Sequence, residues 1–193
     1  PHLTRRPTLV SAADLSTRAT APGALLTLIG SGARSAQAGE LAIPLLASSD
    51  DRAEFQIPFE AQGNALQLTL ASNTGTPLVF GVPLDSVAPT VFTDRDGAPM
   101  VLDAESGVLI DGSNPARTGT RIQILASGLG RVRPDWPSGV AAPVDSPPAV
   151  IAPVRVRVGG VEADVTRAVL APGYIGFYLI EAELPIIMNA GPI

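Results

Sequence analysis

Acidic residues supply the first candidates for chemistry. The stretch "DRDG" at 94–97, followed by Asp103, Glu105 and Asp111, offers several hard oxygen donors of the kind calcium takes. Its spacing departs from that of an EF-hand loop, and Asp-Gly is also what a tight turn selects for backbone reasons, so a turn is the expected reading and a cation near Asp94–Asp96 the alternative. Glu181 and Glu183 in "FYLIEAELP" are a second pair. Two carboxylates are the equipment of a glycosidase, yet residues two apart on a strand merely share a face, and a solvated face is expected. His2 is the only histidine, which leaves a Ser-His-Asp triad or a histidine metal site without material. "GSG" at 30–32 lacks the G-x-S-x-G frame of a nucleophile elbow. No catalytic residue, metal site or cofactor is expected.

Two further stretches invite a binding reading. "VLAPGYIGFY" at 169–178 carries a G-x-x-G (Gly173 and Gly176) among three aromatic residues. The nucleic-acid clamp with that spacing joins helices in a basic domain, whereas this one lies between strand-like runs of an acidic chain. The residues are therefore read structurally. Pro172-Gly173 makes a turn, Gly176 lets the chain pass close to another backbone, and Tyr174, Phe177 and Tyr178 fill the end of the fold. "GRVRPDWPSG" gathers Arg131, Arg133, Asp135 and Trp136 and is the best candidate for partner contact. A single Trp among prolines can bind a partner or a sugar, and can equally cap the end of its own domain.

Composition removes several classes of function. The chain has 193 residues and no cysteine, so disulfides, thiol catalysis and thiolate metal sites are out of reach. Every basic residue is arginine, which excludes Schiff-base chemistry and a phosphate-loop lysine. A net charge of -5 makes nucleic acid a poor partner, because binding it depends on displacing counterions with a basic surface. No run of apolar residues is long enough for a membrane-spanning helix. The chain starts at Pro1, which suggests processing or excision from a longer protein.

The elements that must position these residues are short strands. Runs suited to strands recur along the chain at Thr8–Ala12, Leu25–Ile29, Phe55–Ile57, Leu66–Ala71, Leu78–Val82, Met100–Leu102, Arg121–Leu125, Val154–Val158, Ala163–Val169 and Gly176–Leu184. Gly, Pro and Asp-Gly breakers separate them, and this punctuation predicts an all-β sandwich. Only Ala12–Ser16 could make a helical turn. In "RIQILAS", Ile122, Ile124 and Ala126 share one face; in "VRVRVGG", Val154, Val156 and Val158 point inward and Arg155 and Arg157 outward. The Pro- and Ala-rich stretch 138–153 reads as an extended loop.

The chain also repeats. "APGALLTLIGSGA" (21–33) and "ARTGTRIQILASGLG" (116–130) share one plan, and "IPLLASSDDRAEFQIP" (43–58) and "AVLAPGYIGFYLIEAELP" (168–185) share another, in the same order. Two modules are predicted, 1–88 and 89–193, divided near Ala88-Pro89.

With "APTVFT" and "VRVGGVEADVTRAVLAPGYIGFYLIEAELP", these stretches resemble a domain family of uncharacterised role at the C-terminus of Solibacter-type acidobacterial extracellular proteins. The likeness covers nearly the whole chain, with Gly159, Gly160, Pro172, Gly173, Tyr174, Gly176 and Tyr178 as its structural signature. It implies two immunoglobulin-like sandwiches of the TIG type, on secreted or cell-surface proteins, with no catalytic residues to carry over. Against the family pattern, "SGARSAQAGELAIPLL" is too short for a strand that normally precedes it. After "EAELP" a closing hairpin is expected; its first-module counterpart is Leu66–Ala71 with Leu78–Val82, while the second module is expected to lack it. A donated strand would then complete the fold, with "TRRPTLVSAA" at 4–13 a candidate donor. The function these features imply is a non-catalytic structural or adhesive segment, of which a strand-exchanging fibre subunit is one form. Its partners would be other protein subunits or the rest of a parent chain. The alternatives are a module binding surface glycans or another ligand, and an accessory region of an extracellular enzyme.

Overall fold

The computed structural model describes residues 6–72 and 75–186; His2 lies outside them, as do 4–5 and 187–193. The described chain is all-β. Ala12–Asp14 form turns rather than a helix, with Leu15 at a positive φ of 57°.

The first half packs two four-stranded antiparallel sheets face to face. One has the order β1 (Thr8–Ser11), β2 (Leu25–Ile29), β6 (Arg52–Gln56), β5 (Leu45–Ser48); the other runs β4 (Leu41–Ile43), β3 (Ala33–Ala38), β7 (Ala65–Ser72), β8 (Pro77–Pro83). Alternation explains the layers: Leu66, Leu68 and Leu70 of β7 are buried while Gln67 and Ala71 are exposed, and they meet Leu26, Leu28, Ala53 and Phe55 of the facing sheet. The segment expected to have lost a strand instead folds into the β3–β4 hairpin. Two residues, Gly39 (φ 60°) and Glu40, suffice for that turn, so a short sequence holds both strands. The 4–13 stretch is also corrected as a donor: Thr8–Ser11 pair with β2 in their own sheet.

The second half carries one eight-stranded sheet, whose central pairing matches part of the first half. Its strands are β9 (Thr90–Val91), β10 (Val101–Asp103), β11 (Arg121–Ser127), β12 (Val132–Arg133), β13 (Ala149–Val150), β14 (Val156–Val158), β15 (Val161–Leu170) and β16 (Tyr178–Glu183). β11 pairs with β16 and β16 with β15, as β2 pairs with β6 and β6 with β5. Registers match residue for residue: Leu26 opposes Phe55 and Ile122 opposes Ala182, while Ala36 opposes Ile43 and Val156 opposes Ala163. Even the irregularity recurs, between Leu45 and Ala47 in one half and Val165 and Arg167 in the other. The sequence repeat is thus a repeat of backbone pairing. Ile122, Ile124 and Ala126 are buried, and Val156 points inward between exposed Arg155 and Arg157, as the alternation predicts.

Every ladder joins strands on the same side of Ala88, yet the cores interlock. Phe59 of the first half sits in the second core, and Leu25 and Ala13 share a third cluster with Phe92, Leu125 and Phe177. This contact explains why β2 is buried on both faces, with Leu26 and Leu28 in its own core and Leu25 against the other half.

Candidate functional site

The "VLAPGYIGFY" stretch lies at the junction of the halves. Ala171 to Tyr174 make a turn closed by Tyr174 N–H donating to the Ala171 carbonyl at 3.1 Å, with Gly173 at φ 81° after Pro172, the pattern of a type II turn. Gly176 approaches a side chain, not the expected backbone: a Cβ there would lie 2.5 Å from Leu25 Cδ2. Phe177 stacks on Phe92 with centroids 4.5 Å apart. Tyr174 departs from expectation; it is 61% exposed, because the turn carries it away from the core. Tyr178 is fully buried and donates its hydroxyl hydrogen to the Gly130 carbonyl at 2.6 Å, with the Pro22 carbonyl at 3.4 Å. Burial pushes its phenol pKa well above the ordinary value, so the donor proton is retained. Gly159 and Gly160, with φ of 58° and 83°, form the two-residue turn between β14 and β15.

Where the halves meet they leave a cleft of about 240 Å³. Arg131, Val132, Asp135 and Trp136 line it from the second half, and Phe59, Glu60 and Gln62 from the first. Three of the four expected contact residues therefore come together. Arg133 does not join them: it lies in β12, opposite Ala149. The three first-half residues carried no signal in the sequence, since they follow an unremarkable strand end and reach the cleft only through the packing of the halves. Ser138 positions them, accepting from Phe59 N–H at 2.9 Å and donating to Glu60 Oε2 at 2.8 Å. Arg131 Nη2 donates to the Ala61 carbonyl at 3.5 Å. Trp136 Nε1–H is spent on the Val140 carbonyl at 3.0 Å, and the half-buried indole also packs on the second core. It both caps its own half and lines the cleft. What remains for a ligand is a ring face, a guanidinium and two carboxylates, in a space smaller than the roughly 300 Å³ at which drug-sized pockets begin.

The acidic candidates do not converge. Asp94 Oδ1 accepts from the amides of Asp96 and Ala98, both at 2.9 Å, and so closes its own turn. The Ser106 amide and hydroxyl, with the Glu105 amide, hold the Asp103 carboxyl below its usual range; the Ser113 hydroxyl and the amides of Asn114 and Ser113 do the same at Asp111. Among the described residues no three acidic or histidine side chains are grouped to hold a metal. Glu181 accepts from Gln123 Nε2 at 3.0 Å and lies 3.8 Å from Arg167, while Glu183 is exposed.

The chain matches no family model, no curated protein and no solved structure.

Proposed function

We propose that this chain is a non-catalytic structural segment, two immunoglobulin-like modules fixed as one rigid unit that serves as spacer or assembly element of a secreted or surface bacterial protein. The observation that carries the reading is the clamped connection. Ala88 N–H donates to the Gly128 carbonyl at 2.8 Å, and a Cβ on Gly130 would collide with the Ser86 carbonyl, so the linker lies flat against the second half. Buried Gln56 accepts from Gly139 N–H at 2.7 Å, and Ser127 Oγ accepts from Leu25 N–H at 2.9 Å. Contacts of this kind suit a part that transmits position. The immunoglobulin-like, extracellular part of this reading is what the sequence resemblance implies. X-ray scattering is expected to fit one rigid body from 10 to about 40 °C, with a single calorimetric transition. Independent tumbling of two halves, or two transitions, would falsify the rigid spacer.

The cleft supports a second reading, an adhesive module for surface glycans. Trp136 is the sole tryptophan, so its fluorescence reports on that cleft alone. A sugar that binds there is expected to shift Trp136 emission saturably, and Asp135→Ala to weaken it about tenfold, the loss of one good polar contact. A glycan panel that leaves the emission unchanged sinks this reading.

A further inference from the structure

One difference between the two repeats lies at β14, where their matched registers make it plain. β3 has 6 residues, of which Ala36, Gln37 and Ala38 pair with β4; its other edge pairs with β7 along Ala33–Ala38. β14 has only 3 residues, Val156, Arg157 and Val158, and these are the ones that pair with β15. Among the described residues β14 has no second neighbour. Pro153–Arg155, at the places of Ala33–Ser35, stay outside any strand, because a ladder needs a partner and the described residues place none there. Strand propensity is present, and among the described residues the partner is not.

We infer that the free edge of β14 is a docking site for a β-hairpin of the β7–β8 type. The inference rests on reading the chain as two repeats of one module. The first repeat specifies the occupant: an inner strand antiparallel to Pro153–Val158, with aliphatic residues opposite Val156 and Val158, as Leu70 and Leu68 stand opposite Ala36 and Ala38. Polar residues fall between them, as Thr69 does opposite Gln37. The apolar ground is ready. Val154 and Val158 are half-buried in the second core, and Val161 is 39% exposed where its counterpart Leu41 is half-buried. Ile110, Ala116 and Trp136, each half-buried, also pack on that core.

The backbone is equally prepared. The Gly159-Gly160 turn makes Val158 and Val161 a hydrogen-bonded pair, so Val156 and Ala163 are bonded too, and the amides of Arg155 and Arg157 face the open edge. Pro153 offers no amide, and none is needed: at the matching position Ala33 N–H donates to Ser48 Oγ at 3.0 Å.

The test uses a synthetic peptide of residues 64–84, this chain's own hairpin, titrated against the protein and followed by amide exchange. Arg155 and Arg157 are expected to exchange rapidly alone and at least about tenfold more slowly with the peptide. A peptide of the same composition with its alternation scrambled is expected to leave them unchanged. Arg157→Pro removes an edge amide and no β14–β15 bond, so it is expected to keep the circular dichroism and melting of the parent while losing peptide binding. Equal binding to Arg157→Pro, no binding at all, or Arg155 and Arg157 amides already protected in the free protein would each overturn the site. A dimer that Arg157→Pro abolishes, with the peptide inert, would overturn the hairpin in favour of edge-to-edge pairing of two copies. Failure of the rigid spacer shows instead in scattering, and leaves the peptide result standing.

Discussion

Gly128→Ala is expected to lower stability by about 3 kcal/mol, a fall in Tm of roughly 6–12 °C. Two costs combine. Gly128 has φ 75°, where a side chain strains the backbone by about 1 kcal/mol. Its new Cβ would also run into the Ala88 carbonyl oxygen, a backbone atom of the connection between the halves, whose residue is anchored by its own N–H donating to the Gly128 carbonyl. A backbone atom so fixed cannot rotate away as a side chain can, and overpacking of this kind costs about 1–3 kcal/mol. Gly107→Ala separates the terms, since Gly107 has φ 69° and nothing within 4 Å of the built Cβ. That variant is expected to lose only about 1 kcal/mol. Equal losses in urea titrations of the two would mean that the close approach of Ala88 contributes nothing.

Tyr178→Ala is expected to cost about 3–5 kcal/mol, and Tyr178→Phe about 1–2 kcal/mol. The ring fills the second core beside Phe59, and its removal leaves a cavity that strands on both sides cannot collapse into. The hydroxyl is a separate matter. It satisfies the Gly130 carbonyl and touches the Pro22 carbonyl, so it ties the 128–130 turn to the first half. Phe keeps the packing and abandons those carbonyls. Because the tie crosses the junction, Tyr178→Phe is also expected to broaden the urea transition or split it in two; a sharp single transition at parental m-value would show that the hydroxyl serves only the second core.

Much of this was legible in the order of residues. The strand β11 is Arg121–Ser127 because apolar and polar residues alternate there, and the matched phrases at 21–33 and 116–130 correspond to β2 and β11 in the same register against their partners. The hairpin at 33–43 is not legible, since "ARSAQAGELAI" is small and polar; Ala33 and Ala36 are buried because β7 and the facing sheet press on them, which no local pattern announces. Tyr174 was placed in the core by its type, and the turn at Pro172-Gly173 turns it outward. For the cleft, Trp136 and Asp135 were visible as unusual residues in a loop, whereas Phe59, Glu60 and Gln62 were not.

The sequence alone determined the all-β architecture and the absence of thiol and lysine chemistry, because alternation, breakers and residue types act within a few positions along the chain. Tertiary structure decided which residues meet across the junction and how far each strand runs. Those depend on contacts between segments far apart in the chain: Ser138 reaches Glu60 across 78 residues, and Tyr178 reaches Gly130 across 48. Val154 to Val158 show both at work. Their alternation predicted a five-residue strand, and only Val156–Val158 form one, because a strand extends as far as it has a partner.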